Sequence, residues 1–166
     1  MKYLFILFLY LPFSIHAQEC NLKSTKDQFS QEPKLTTGFI ALNNAKLSID
    51  ADTREITFLF VFNDAGSAGC FDDYSTLTVN FDGTKSKANL RSGGPMNCDG
   101  YFHVVFKNNP TTATHLQRLA TQKAASFVFT NNTKKITTII LTEDQKEEIM
   151  EAAACIAEEA KKLIKQ

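Results

Sequence analysis

The segment Ser75 to Leu90 leaves this chain little conformational choice. Leu77, Val79 and Phe81 alternate with Thr76, Thr78 and Asn80; Asp82-Gly83 interrupts; Ser86, Ala88 and Leu90 resume the alternation. A period of two places one set of side chains in a core and the other in solvent. Asp-Gly is a favoured pair for a tight hairpin, because glycine tolerates the positive φ such a turn demands. The pattern predicts an antiparallel hairpin with a two-residue turn at Asp82-Gly83. In that register position 70 falls opposite position 95, and Cys98 lies just beyond, past the pliable Gly93-Gly94. Of the three pairings that four cysteines allow, the register selects Cys70 with Cys98, which leaves Cys20 for Cys155.

Disulfides need an oxidising compartment, and the N-terminus supplies an address. Lys2 gives a positive start, Leu4 to Leu11 is uninterruptedly apolar, Pro12 ends the run, and Ala17 offers a small residue at a cut before Gln18. This reads as a secretory signal peptide over 1–17, too short to span a bilayer as a helix. Glu19 directly before Cys20 is unsuited to a lipid-acceptor site, so release into the periplasm or medium is expected. Residues 18–166 then form a single domain, large enough to bury about two-thirds of its unfolded surface. The chain has 18 basic and 18 acidic residues, a balance that leaves no electrostatic footprint for nucleic acid or an anionic membrane surface. No later stretch approaches the length of a transmembrane helix.

The remaining pattern is mostly strands. Phe numbers 14 and Trp is absent, which suits β-strands on an aromatic core. Gln18 to Pro33 reads as irregular surface chain. Lys46 to Ala51 alternates, Asp52-Thr53 reads as a turn, and Ile56, Phe58, Phe60 and Phe62 share one face of the next strand, with Leu59 and Val61 on the other. That strand is expected to be central and covered on both sides. The turn sets Ile49 opposite Ile56 and Leu47 opposite Phe58. Tyr101 to Lys107 is a strand with Phe102, Val104 and Phe106 inward, stopped by Asn108-Asn109-Pro110. Thr112 to Thr121 is a short helix, and Ala124 to Thr130 and Ile136 to Leu141 are strands. Thr142 and Gln145 form a capping box for a helix running to about Lys165, with Ile149, Ala152, Ala153, Ile156, Ala160 and Leu163 on its apolar stripe. The expected fold is α+β: an antiparallel sheet of about six to eight strands packed on a long C-terminal helix, with two disulfides.

Candidate chemistry is sparse. Four cysteines without a Cys-x-x-Cys read as structural disulfides. His103 on a strand and His115 at a helix start read as solvated surface groups. Asp72-Asp73, with Asp64, Asp82 and Asp99, lacks calcium-loop spacing and reads as turn acids. Asn131-Asn132-Thr133 fits a glycosylation acceptor. No serine elbow, phosphate-cradling loop or zinc-protease helix occurs, so no catalytic residue, cofactor or metal is assigned.

Cys70-Phe71-Asp72-Asp73-Tyr74-Ser75, then Phe81-Asp82-Gly83-Thr84, then Asn97-Cys98-Asp99-Gly100-Tyr101-Phe102, with Leu141-Thr142-Glu143 and Cys155 later, resembles small exported proteins of Bacteroidetes-type bacteria. The likeness spans most of Phe58 to Cys155. It differs in the continuation of the final helix to Gln166. The resemblance implies fold and location but carries no activity and no catalytic residues. The expected role is therefore a non-enzymatic binding module for an envelope or extracellular ligand, the sequence specifying neither that ligand nor an oligomeric state. The alternatives are a small secreted hydrolase built from His103, His115 and Asp72, and a structural or inhibitor-like module. Convergence of either histidine with a carboxylate or hydroxyl in a concave site separates the hydrolase from the rest.

Overall fold

A computed structural model describes residues 20–26 and 31–164. The apolar leader 1–17 with its cleavage region lies outside the described residues, as do Lys165 and Gln166. Among the described residues nine strands form two antiparallel sheets. The first has the order β1 (Lys23–Lys26), β2 (Pro33–Leu42), β3 (Ala45–Ala51), β4 (Glu55–Phe62), β7 (Tyr101–Lys107). The second has the order β6 (Lys87–Arg91), β5 (Thr76–Phe81), β8 (Ala124–Thr130), β9 (Ile136–Ile140). The helices are α1 (Ala65–Ala68), α2 (Thr114–Thr121) and α3 (Glu143–Glu159), the last continued by a 3₁₀ turn over Ala160–Leu163. No helix among the described residues is long and apolar enough to cross a membrane.

The α+β class, the antiparallel pairing, the C-terminal helix and both disulfides are as expected, but the strands divide between two sheets instead of one. Aromatic residues join the sheets. Phe60 of β4 meets Phe127 and Phe129 of β8 edge to face, with ring centroids 5.1 Å apart in each pair. Phe102 of β7 reaches Phe129 at 5.2 Å. Such edge-on pairs stabilise by about 0.5–1.5 kcal/mol beyond the area they bury. The helix α3 packs against β2, β3 and β8, with α2 beside it, and buries Ile149, Ala153, Ile156, Ala157 and Ala160. Its capping box forms as the sequence predicts, Thr142 Oγ1 accepting from Gln145 N and Gln145 Oε1 from Thr142 N.

Both hairpins differ from expectation by the same amount. In β5–β6, Val79 faces Ala88 and Leu77 faces Leu90, and Phe81 N donates to Ser86 O. The loop is therefore four residues, Asp82–Lys85, not two. Its tip is held from outside: Asp82 N donates to Lys123 O, and the Asp82 carboxylate accepts from Lys146 Nζ at 2.9 Å. In β3–β4, Ile49 faces Phe58 and Leu47 faces Phe60. There the Asp52 carboxylate accepts from Arg54 N and Glu55 N, which draws Asp52 out of the turn's centre and makes Thr53-Arg54 the tip. Each slip moves the pairing by two positions, so the inward set is unchanged although every partner differs.

Two further expectations are corrected. The segment read as irregular contains β1, which pairs with β2 through its backbone while its side chains stay exposed; no apolar alternation announces such a strand. And β4 is covered on one face only: Ile56, Phe58, Phe60 and Phe62 are buried, whereas Thr57, Leu59 and Val61 are half-buried. The second sheet and α3 lie on the same side.

Candidate functional site

The open side of the first sheet is ordered by cross-strand register. One row runs Phe39, Ser48, Leu59, His103; the next runs Ala41, Lys46, Val61, Tyr101; a third runs Thr36, Asp50, Thr57, Val105. Phe39 is 62% exposed, Tyr101 42% and Val105 38%. Strands in a sheet lie about 4.8 Å apart, so Phe39 on β2 and Tyr101 on β7 flank a face roughly 14 Å wide, with Leu59 and Val61 between them. Polar groups interleave. Ser48 Oγ donates to Asp50 Oδ1 at 3.2 Å, and Lys34 Nζ stands 3.9 Å from Asp50.

Sequence reading missed Phe39 because β2 changes phase. Leu35 pairs with Ala51 and Ile40 with Leu47, both inward, with a bulge between Thr36 and Phe39. Leu35 and Ile40 could not share a face in an unbroken strand. Gly38 at φ 71° carries the bulge. Thr37 Oγ1 accepts from Ile49 N and Thr36 Oγ1 from Gly38 N, replacing lost ladder bonds. The extra residue turns Phe39 outward.

His103 is half-buried at the β7 end of this face, not freely solvated. The loop after β6 folds over it: Gly93 N donates to His103 O at 2.9 Å, and a side chain at Gly94 would stand 3.1 Å from the imidazole Cδ2. His103 opens on a shallow groove of about 180 Å³ shared with Lys34, Asp50, Asp52, Glu55, Thr57 and Leu59. Its imidazole makes no hydrogen bond or ion pair with a described residue. Desolvation alone lowers its pKa below the usual histidine value. Convergence is thus partial: acids share the groove, but none orients the ring. His115 is exposed at the start of α2. Asp72 is spent on a turn, where its Oδ1 accepts from Tyr74 N, Ser75 N and Ser75 Oγ. Asp64 caps α1 through Ser67 N. No group of three or more metal-ligating side chains exists among the described residues.

The cysteines pair as the register implies, Cys70 with Cys98 and Cys20 with Cys155, with Cα separations of 4.0 and 5.5 Å. Beside the first bond, Phe71 and Asn97 exchange backbone hydrogen bonds of 2.8 and 2.9 Å as an isolated bridge beyond the β5–β6 ladder. The glycosylation pattern is silenced by the fold. Asn131 is 3% exposed, and its amide is used at both ends: Nδ2 donates to Ala68 O while Oδ1 accepts from Thr133 N, Thr133 Oγ1 and Lys135 N.

The chain matches no known protein family, no characterised protein and no solved structure. An aromatic pair, two half-buried aliphatics and interleaved hydroxyls can bind by apolar contact and hydrogen bonding. Nucleophilic catalysis needs more: a hydroxyl or thiol within reach of an oriented base; Ser48 and Ser75 donate to Asp50 and Asp72, and neither hydroxyl is hydrogen-bonded to a histidine among the described residues.

Proposed function

We propose that this protein is an exported, non-catalytic binding module whose recognition surface is the outer face of the first sheet. The observation that carries this reading is the exposure of Phe39, Tyr101 and Val105 on one register-ordered face. Apolar side chains gathered on one face of a soluble domain mark an interaction site. Export is supported by two disulfides and by the apolar leader; the motif likeness to small exported Bacteroidetes-type proteins points the same way.

The test is co-sedimentation of the purified protein with isolated cell-envelope fractions, comparing the parent with a Phe39→Ser/Tyr101→Ser variant. Both positions are surface-exposed, so the variant should melt as the parent does while losing most of its sedimentation. Equal sedimentation of the two would remove this face from the reading. The hydrolase alternative rests on His103 sharing its groove with Asp50, Asp52 and Glu55. A broad ester, amide and glycoside screen addresses it: turnover by the parent that vanishes in His103→Ala would replace binding with catalysis.

A further inference from the structure

We propose that the protein forms a two-fold dimer by antiparallel pairing of β9 with the β9 of a second copy. Two sheets present four edges, and three are guarded. The β1 edge reads Lys-Ser-Thr-Lys, and β6 carries Lys87 and Arg91; edge lysines and arginines oppose further strand addition. The β7 edge is covered by the loop whose Gly93 N donates to His103 O. Among the described residues the β9 edge has no such device. It reads Ile-Thr-Thr-Ile-Ile, with no charge and no proline, and Ile136 and Ile140 are 64% and 72% exposed.

Its backbone is set to accept a strand. Lys135 O accepts from Asn131 N, and Leu141 N donates to Ala125 O. In an antiparallel ladder the residues bonded to one neighbour alternate with those facing away. Residues 135, 137, 139 and 141 therefore bond β8, and Ile136, Thr138 and Ile140 direct their N–H and C=O groups to the open edge. A groove of about 240 Å³ separates this edge from Asn43, Asn44 and Ser67, leaving it approachable.

The occupant is a second copy because the edge complements itself. With the two-fold axis at Thr138, Thr138 meets its symmetry mate and Ile136 meets Ile140 of the other copy. Three pairs of this kind exchange about six backbone hydrogen bonds, and the isoleucines cover one another on the solvent face. Charge follows the same symmetry. Lys134 and Lys135 precede β9, and Glu143 and Asp144 follow it, so antiparallel docking brings each basic end beside the other copy's acidic end. Self-complementarity of this sort is what an isologous interface requires.

Sedimentation equilibrium of the disulfide-bonded protein tests this. The parent should show twice the single-chain mass. Thr138→Pro deletes an edge N–H that β8 does not use, and Ile140→Lys places a charge in the seam; both should give the single-chain mass with unchanged circular dichroism. Thr138→Cys reads the register, since Cα atoms of a hydrogen-bonded pair lie about 5.5 Å apart, within disulfide reach. It should oxidise to a covalent dimer, whereas Ile136→Cys should not. A parent of single-chain mass at about 100 μM, where even a dimer of micromolar Kd is assembled, overturns the proposal. So does a polydisperse series of larger species, or dimers that survive both Thr138→Pro and Ile140→Lys. None of these readouts involves Phe39 or Tyr101, so failure here and failure of the binding-face reading are separable.

Discussion

Asn131 fills the space into which any side chain at position 69 would have to project. Gly69 has φ 77°, and a Cβ there would fall inside the contact distance of Asn131 Nδ2. The same asparagine bonds Ala68 O, while Asn132 N reaches Cys70 O at 3.2 Å. The β8–β9 connection is thereby fastened to the segment carrying the Cys70–Cys98 bond. Gly69→Ala should therefore lower stability by about 1–3 kcal/mol, combining an unfavourable φ with a steric conflict. Asn131→Ala should lose about 1–3 kcal/mol for each buried partner it leaves unpaired. Urea unfolding of the two variants checks this; a Gly69→Ala protein as stable as the parent would contradict the packing described.

Burial of Asn131 carries a second expectation. In a glycosylating host, the folded, fully disulfide-paired fraction should carry no glycan at Asn131, because the amide nitrogen that would be modified is already donating inside the fold. Intact mass spectrometry of the monodisperse fraction decides it. A glycan on protein with native circular dichroism would mean the β8–β9 connection opens far more readily than its hydrogen bonds imply.

Removing the disulfides singly should expose their different spans. On the chain-entropy account, the Cys70–Cys98 bond, whose ends are 28 positions apart in sequence, stabilises by about 3–4 kcal/mol, and the Cys20–Cys155 bond, whose ends are 135 apart, by about 5 kcal/mol. Paired Cys→Ser variants compared by denaturant midpoint test that order. Should the Cys70/Cys98 variant prove the less stable, native packing around Phe71 and Asn97 outweighs loop entropy.

Stability should fall as pH drops below the ordinary histidine value of about 6.5, and His103 should be a cause. Its folded pKa lies below the usual value because of desolvation. Between the folded and unfolded values, about 6.5 for the latter, the unfolded chain binds more protons, so stability rises with pH through that window and is lost on acidification. His103→Gln should flatten this part of the melting-temperature profile. An unchanged profile would show that the imidazole is better hydrated than its place beneath Gly94 suggests.

The sequence revealed faces more faithfully than partners. Inward residues of β3, β4, β5 and β6 could be read because alternation depends only on parity, and both turn slips preserved parity. The slips themselves were hidden, since they depend on Lys123, Lys146 and on how Asp52 spends its carboxylate. The C-terminal helix was legible from its cap, which is local. The candidate face was not: its defining residue, Phe39, is turned outward by a bulge that sequence shows only as Thr36-Thr37-Gly38, and β1 pairs through backbone with no patterned side chains. His103 could be placed on the outer side of β7, but its cover comes from Gly93-Gly94, which read as a mere break in the sheet.

The bond between Cys20 and Cys155 has a topological meaning apart from its energy. It closes a covalent ring around all nine strands and the first two helices. A protease that cuts any loop inside that ring opens the chain without dividing the molecule, and the two pieces stay joined until they are reduced. A copy nicked at one such loop would still behave as a single particle. Non-reducing electrophoresis after limited digestion would show a single band where the reduced sample shows two.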